Sequence, residues 1–111
     1  MKSTDAISAL AALAQEHRLA VFRLLVRRGP QGLSAGDIAS RLDIPPPTLS
    51  FHLKELSHAG LVESTRDGRS IIYAASYDQM NRLMAFLGEN CCAEDGDVCC
   101  PPELKKRGTS K

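Results

Sequence analysis

Four cysteines stand close together near the C-terminal end of this 111-residue chain. They form two adjacent pairs, Cys91-Cys92 and Cys99-Cys100, joined by an acidic spacer that contains Gly96. Trivalent arsenic and antimony are soft ions that prefer thiolate sulfur and take three such ligands in a pyramid. Because the spacer can reverse at Gly96, either Cys99 or Cys100 can supply the third sulfur beside Cys91 and Cys92. The cluster therefore predicts a metalloid site, with arsenite as the expected effector and antimonite or methylated arsenicals as alternatives.

The same four thiols leave other chemistries open. A divalent ion such as zinc, cadmium or lead can take four thiolates, although structural zinc sites usually space paired cysteines by roughly two to four residues. Thiols that are close in sequence can also oxidise to a disulfide and act as a redox switch. A metallochaperone would use the thiols without any DNA-binding element. An enzyme is not expected, because the sequence contains neither a Ser-His-Asp arrangement nor a glycine-rich phosphate loop.

Length and composition bound the class of protein. A chain of 111 residues has room for one domain, and a second copy would help to stabilise so modest a core. The formal net charge is only +1, but the charges are segregated, because the stretch from Glu89 to Glu103 has five acidic residues and neither Lys nor Arg. No apolar run approaches the roughly 20 residues that span a bilayer, and the first residues lack the pattern of a signal peptide. We therefore expect a cytoplasmic protein with reduced cysteines and no membrane partner.

Apolar spacing and capping residues predict five helices. They run over about residues 4–14, 16–28, 34–43, 45–60 and 77–89. Ser34 caps the third helix, the prolines of Pro45–Pro47 form the turn before the fourth helix and its first residues, and Gly60 ends the fourth helix. Leu19 belongs to the predicted apolar stripe of the second helix.

Two β-prone runs between Leu61 and Tyr73 flank the dipeptide Asp67-Gly68. Asp-Gly is typical of a two-residue type I′ hairpin turn, in which both central residues need a positive φ. The order of elements predicts a fold that is mainly α with a small β-hairpin, a dimeric winged helix-turn-helix (α-α-α-α-β-β-α). We assign residues 1–90 to a DNA-binding and dimerisation domain and residues 91–111 to a cysteine-containing effector-binding tail.

Several of these segments resemble the ArsR/SmtB family of metal-responsive repressors. Thr48-Leu49-Ser50-Phe51-His52, followed by Leu53-Lys54-Glu55-Leu56 and Ala59-Gly60-Leu61-Val62, is similar to the family's recognition helix and the start of its wing. Glu16-His17-Arg18-Leu19 with Phe22-Arg23-Leu24-Leu25 is similar to its second helix. The resemblance implies a homodimer that binds operator DNA and dissociates when an effector binds.

Asp67-Gly68-Arg69 with Tyr73 also matches the wing of this family, so the resemblance covers about residues 5–90. Two of the family's effector sites have no counterpart here. The cysteine pair of one type of arsenic sensor is missing between Ser34 and Leu42, and no histidine follows Asp78 in the last helix, where the zinc sensors carry Asp and His. The adjacent cysteines after the last helix resemble a different arsenic-responsive subgroup, which carries its thiols in the C-terminal tail.

The fold and the resemblance together place the side chains that contact DNA and join two copies. Those expected to contact DNA are Ser34, Pro47, Thr48, Ser50, Phe51, His52, Lys54, Arg66 and Arg69. Phe51 can either contact a thymine methyl group or pack against the wing, and the two wing arginines can contact phosphates or the minor groove. The expected dimer interface joins the first and last helices through Ile7, Leu10, Met80, Leu83, Met84 and Leu87.

Overall fold

The computed structural model describes residues 1–94, so Cys99 and Cys100 lie outside the described residues. In this part of the chain the elements follow in the order α1 (Ser3–Leu13), α2 (Glu16–Arg28), β1 (Leu33–Ser34), α3 (Ala35–Leu42), α4 (Pro46–His58), β2 (Val62–Asp67), β3 (Ser70–Ala75) and α5 (Tyr77–Gly88). The arrangement confirms the predicted winged helix-turn-helix, in which α3 and α4 form the helix-turn-helix and β2 and β3 form the wing. No helix within residues 1–94 is long and apolar enough to cross a membrane.

The sequence does not predict β1, a two-residue strand between α2 and α3. It pairs antiparallel with β3, so that Leu33 lies opposite Tyr73, and the strand order in the sheet is β1-β3-β2. Gly32, just before β1, has a φ of 69°, and a Cβ atom there would collide with the carbonyl group of Tyr73. A glycine is therefore needed for β1 to approach β3 and tie the start of the helix-turn-helix to the wing.

The hairpin turn differs from the predicted one. Asp67 pairs with Ser70 at the ends of β2 and β3, so the two central residues of the turn are Gly68 and Arg69. Of these two, only Gly68 has a positive φ, 66°. Positive φ confined to the first central residue is the pattern of a type II′ turn, so the predicted type I′ turn over Asp67-Gly68 is wrong. The change places Arg69 at the tip of the wing.

Local caps fix the ends of the helices that carry the site. The hydroxyl oxygen of Ser34 accepts a hydrogen bond from the amide of Asp37 at the start of α3 (3.2 Å). Ser76 caps α5 in the same way, by accepting from the amide of Gln79 (3.3 Å). Gly60, which follows α4, has the positive φ expected of a residue that ends a helix, 78°. The predicted caps at Ser34 and Gly60 are therefore confirmed.

The core lies between α2, α3, α4 and the start of the wing. Its largest fully buried side chains are Val21, Leu25, Ile38, Leu49, Leu56 and Leu61. The buried residues of α1 are all alanines, Ala6, Ala9 and Ala12, and side chains this small let the helix lie close against α2 and α4. Leu19, predicted to belong to the apolar stripe of α2, is exposed at the surface instead.

Candidate nucleic-acid interface and thiol site

Helix α4 has a buried and an exposed side. The buried side packs against α2 and α3 and consists of Leu49, His52, Leu53 and Leu56. The exposed side, which we call the outer face, has a midline of four side chains at the helical spacing i, i+4, i+7 and i+11: Pro47, Phe51, Lys54 and His58. Thr48 and Ser50 flank this midline and are also exposed. The outer face is therefore the surface that α4 can present to a major groove.

His52 lies on the buried side of α4, which corrects the prediction that it contacts DNA. It is 6% exposed, and its ring centroid is 5.6 Å from that of His17 at the start of α2. Within the described residues, its Nδ1 atom is buried without a hydrogen-bond partner. Burial, and then the charges of Arg18 and His17, lower the pKa of His52 below its usual value of 6.5. His52 is therefore a neutral core side chain at neutral pH.

Phe51 lies on the midline of the outer face and is 55% exposed. Its ring lies edge-on to that of His52, with the centroids 5.8 Å apart, so the buried histidine contacts the phenyl ring from the protein side. The ring is therefore accessible to a partner that approaches the outer face.

Prolines occupy the first positions of α4. Pro45 is the N-cap residue and Pro46 and Pro47 are the first two residues of the helix, and all three are exposed. A proline has no N–H group, so the helix start, which usually offers several amide donors to an anion, offers its first one at Thr48. This end of α4 presents apolar ring surface where other helices present amide hydrogens.

The wing brings two cationic side chains to one end of the molecule. Arg66 is near the end of β2 and Arg69 is in the turn, and both are exposed. Guanidinium groups in these positions can contact phosphates or enter a minor groove. Ser34, by contrast, is half-buried, and its hydroxyl oxygen already accepts the capping hydrogen bond of α3.

Helices α1 and α5 leave four large apolar side chains exposed. They are Ile7, Leu10, Met84 and Leu87, which together we call the α1–α5 face. Ile7 on α1 is 64% exposed and Met84 on α5 is 63% exposed, although the two helices are in contact. Exposed apolar surface of this kind marks interaction sites in proteins that are otherwise well packed.

Two residues predicted for the dimer interface are instead packed within the single chain. Leu83 is 6% exposed and belongs to the core, and Met80 is partly buried against that core. Because α5 turns Leu83 inward, the neighbouring Met84 points outward. Leu83 is therefore corrected from an interface residue to a core residue.

The turn that follows α5 holds two of the predicted thiol ligands. The amide of Cys91 donates to the carbonyl oxygen of Gly88, the last residue of α5 (3.1 Å). The Sγ atoms of Cys91 and Cys92 lie 3.5 Å apart, and the Cys92 side chain is exposed. Among residues 1–94, no group of three His, Cys, Asp or Glu side chains is arranged to hold a metal ion. Within the described residues the site is therefore a pair of thiols and not a complete set of ligands.

The first turn of α5 is hydrogen-bonded to the ends of two other helices. Nε2 of Gln79 donates to the carbonyl oxygen of Ala59, the residue that caps the C-terminal end of α4 (3.3 Å). The hydroxyl of Tyr77 donates to the carbonyl oxygens of Leu25 and Val26 near the end of α2 (3.2 and 3.0 Å). Helix α5 therefore links the thiol pair at one of its ends to the end of α4 at the other.

Comparison with known proteins gives the same architecture. A family model described as a helix-turn-helix domain matches residues 13–65. The transcriptional activator HlyU of Vibrio cholerae is 30% identical to this chain over 90 residues, which are 81% of each protein. An ArsR-like transcriptional regulator from Rhodococcus sp. RHA1 has a TM-score of 0.68 at 28% identity, with 96% of this chain and 89% of that one covered. The homodimeric winged helix-turn-helix domain of Mb0332 from Mycobacterium bovis has a TM-score of 0.64 at 27% identity, with 76% and 75% covered.

A winged helix-turn-helix with an exposed recognition helix and two exposed arginines on its wing defines a DNA-binding transcriptional regulator, and not an enzyme. Within that class, this chain belongs to the ArsR family. The family assignment confirms the resemblance seen in the sequence. The arsenic-responsive subgroup, the thiol ligands and the individual DNA contacts remain predictions.

Proposed function

We propose that this chain is a repressor that binds operator DNA as a homodimer and leaves it when trivalent arsenic or antimony binds its C-terminal thiolates. The ligands are Cys91, Cys92 and one of Cys99 and Cys100. The observation that carries the proposal is the contact between the Sγ atoms of Cys91 and Cys92, 3.5 Å apart in the turn that follows α5.

The distance between these two sulfur atoms suits chelation of one ion. For metal–sulfur bonds of about 2.3 Å, a sulfur–sulfur distance of 3.5 Å corresponds to an angle of roughly 100° at the ion. Two thiols this close can therefore bind one ion together with little rearrangement. The preference for a trivalent metalloid rests on the softness of thiolate sulfur and on a pyramidal set of three ligands.

A shift of α5 gives ligand binding a route to the DNA-reading helix. The thiols lie just beyond the C-terminal end of α5, and Gln79 in its first turn is hydrogen-bonded to the capping residue of α4, Ala59. Drawing the thiols around an ion moves α5 and with it the α1–α5 face, and because α4 is tied to α5 by this hydrogen bond, the two recognition helices of the dimer change their spacing. Because coupling between two ligands is reciprocal, DNA must weaken metalloid binding by the same factor.

The α1–α5 face supports the homodimer. It exposes four large apolar side chains on two adjacent helices, and a second copy of the same face would bury them. The related domain from Mycobacterium bovis is itself described as homodimeric. Two-fold symmetric readers of this class place their recognition helices about 34 Å apart, so we expect an operator with dyad symmetry.

Release of a labelled operator by arsenite tests the proposal. The reduced protein first selects a duplex from a random pool, and the anisotropy of that labelled duplex is then followed while arsenite is added. We expect release of the parent protein. Cys91→Ser and Cys92→Ser should each bind the duplex normally and fail to release it, because a serine oxygen is a poor ligand for a soft ion.

Single changes in the second cysteine pair provide the matched control. Cys99→Ser and Cys100→Ser should each keep part of the response, because either sulfur can fill the third position, whereas the double variant should lose it. If Cys91→Ser and Cys92→Ser release the duplex at the arsenite concentration that releases it from the parent, this thiol pair is not the sensor. The DNA-binding function would be unaffected by that result.

The contact between Cys91 and Cys92 also favours a second candidate, a redox-responsive regulator. Loss of two electrons and two protons from the pair, taken up by an added oxidant such as diamide, would form a disulfide. Release by diamide that a thiol reductant reverses, with no effect of arsenite, would select this candidate. Zinc, cadmium and lead salts form a third arm of the same titration, and release by one of these alone would select a divalent-metal sensor.

A further inference from the structure

The outer face of α4 is unusual in the side chains that it offers to base edges. The residues of this helix include no Arg, Asn or Gln, and Lys54 is its one side chain of the types that make bidentate hydrogen bonds to guanine or adenine. Reading heads of this class contact bases mainly with the first turns of the recognition helix. The midline positions there are Pro47 and Phe51, and neither side chain carries a hydrogen-bonding group. The midline residues with polar groups, Lys54 and His58, come later in the helix.

The backbone at the start of α4 cannot replace the missing side-chain donors. Pro45, Pro46 and Pro47 remove three successive N–H groups, so the first amide hydrogen of the helix is that of Thr48. What remains at this end is exposed apolar surface, formed by the proline rings and by the Phe51 ring, which is 55% exposed. An apolar surface that is inserted into a major groove finds one apolar group on the base edges, the 5-methyl group of thymine.

We infer that α4 reads thymine methyl groups through Phe51, with Pro47 beside it, so that the operator half-site is specified by thymines at the positions facing these two side chains. The inference rests on the proposed operator binding and deepens it. The edge-on contact between the Phe51 and His52 rings, 5.8 Å between centroids, gives the phenyl ring a fixed backing. Thr48 and Ser50 flank the ring and can contact the neighbouring phosphates or bases through their hydroxyl groups.

Replacement of thymine by deoxyuridine tests the inference, because the two bases differ only in the 5-methyl group. The operator selected from a random pool is synthesised with each thymine changed in turn, and its affinity is measured without arsenite. Burial of one methyl group corresponds to about a four-fold change in affinity. We expect a loss of about that size at one or more thymines of each half-site and almost none elsewhere.

Substitution of Phe51 completes a double-mutant cycle, in which the thymine methyl group and the phenyl ring are removed separately and together. Phe51→Ala should bind the thymine duplex more weakly than the parent protein does, and should bind the thymine and deoxyuridine duplexes equally, so that the ratio falls from about four to about one. Lys54→Ala is the matched control on the same midline. It should weaken binding to both duplexes and leave the ratio at about four, because it removes a charge and no methyl contact. Circular dichroism checks that both variants keep the helical content of the parent.

The outcomes separate this inference from the proposed function. Equal affinities for the thymine and deoxyuridine duplexes at every position would overturn methyl reading, while release by arsenite would still stand. A thymine preference that survives Phe51→Ala unchanged would remove Phe51 as the reader. A protein that selects no sequence from the pool and binds no duplex would contradict the operator binding on which both depend.

Discussion

Two regions of the molecule differ in how far one chain completes their packing. One is the reading part, which consists of the helix-turn-helix and the wing, and the other is the α1–α5 face. In the helix-turn-helix, Ile38, Leu49 and Leu56 are fully buried by side chains of the same chain. On the α1–α5 face, Ile7 and Met84 keep about two thirds of their surface exposed, 64% and 63%. The orientation of the recognition helix is therefore set within one protomer, whereas in the proposed dimer the spacing between two recognition helices depends on the second copy.

This difference indicates which part of the structure a small ligand can displace at the lowest cost in free energy. Changing the orientation of α4 within its protomer would disturb a close-packed core, which resists small displacements. In the proposed dimer, a change in how two copies meet alters side chains that a single chain leaves exposed, and the proposed thiol site lies at the end of α5, which carries two of them. An effector placed there acts on the part of the structure that a single chain leaves incomplete.

A charge at the centre of the α1–α5 face should have the largest effect. We expect Met84→Glu to split the dimer and to lower operator affinity by about 100-fold or more, because each reading head then binds its half-site without the other. The neighbouring Leu83→Ala should instead destabilise the protomer by about 2–4 kcal/mol, because it opens a cavity in the core. Sedimentation velocity and urea denaturation distinguish the two results.

The matched control places the same charge on another exposed aliphatic residue. Ile71 on β3 is exposed, and Ile71→Glu should leave the protein dimeric. A dimer that persists in Met84→Glu at the parent's dissociation constant would show that the two copies meet elsewhere, so that the α1–α5 face would not set the spacing of the recognition helices.

Loss of the wing arginines should have an intermediate effect that is the same for every DNA sequence. Arg66→Ala combined with Arg69→Ala removes four cations from a dimer, and each lost phosphate contact lowers the slope of log K against log salt by about 0.9. We therefore expect binding at low salt to weaken for operator and random duplexes alike, and the slope to fall by about 3 to 4.

Arg82→Ala controls for the general loss of positive charge. Arg82 is exposed on α5, where it pairs with Asp78 at 3.0 Å, and its removal should leave the salt slope nearly unchanged. If the double wing variant keeps the parent's slope of log K against log salt, the wing lies outside the DNA interface. Helix α4 would then make the DNA contacts of the reading part without the wing.

The elements that the sequence predicts well are those fixed by neighbouring residues. The bounds of α2 agree with the predicted 16–28, and Ser34 and Gly60 act at the helix ends as expected, because a cap depends on atoms only a few residues away. Strand β1 escapes prediction because two residues carry no periodic signal and the strand exists through its pairing with β3. The predicted hairpin turn lies one residue too early in the chain. Gly68 can be the second central residue of a type I′ turn or the first central residue of a type II′ turn, so composition does not distinguish the two.

The two corrected site residues, His52 and Leu83, differ in how much helical spacing reveals about their burial. His52 lies three residues after Leu49 and four before Leu56, which puts it on the buried side of α4. Leu83 and Met84 both fit the apolar spacing of α5, but only tertiary packing decides which of them faces the core. The second cysteine pair lies outside the described residues, so its place in the site remains a prediction.

His52 is the exception in the packing of the helix-turn-helix, because its Nδ1 atom is buried without a hydrogen-bond partner among the described residues. Its effect on the free energy of unfolding should be the smallest of those predicted and should depend on pH. Burial, followed by the charges of Arg18 and His17, lowers the pKa of His52 below 6.5 in the folded protein. The unfolded chain, whose histidine keeps its ordinary pKa, therefore binds an additional proton as the pH falls below 6.5. The contribution of His52 to stability is fully present above that pH. Below pH 6.5 this contribution to the free energy of unfolding is lost at up to about 1.4 kcal/mol per pH unit, until the folded protein also binds the proton.

Urea denaturation at pH 7.5 and pH 5.5 measures this contribution as a difference between proteins, so that the carboxylates common to both cancel. In His52→Phe, which keeps a ring in the same place, the free energy of unfolding should fall less between the two pH values than it does in the parent. The same change at exposed His58 is the matched control for replacing a histidine by phenylalanine. Equal losses in the parent and His52→Phe would show that His52 takes up its proton as readily in the folded protein as in the unfolded chain. The unpartnered Nδ1 atom would then be reached by water, and the reading part would be less completely packed than its leucines indicate.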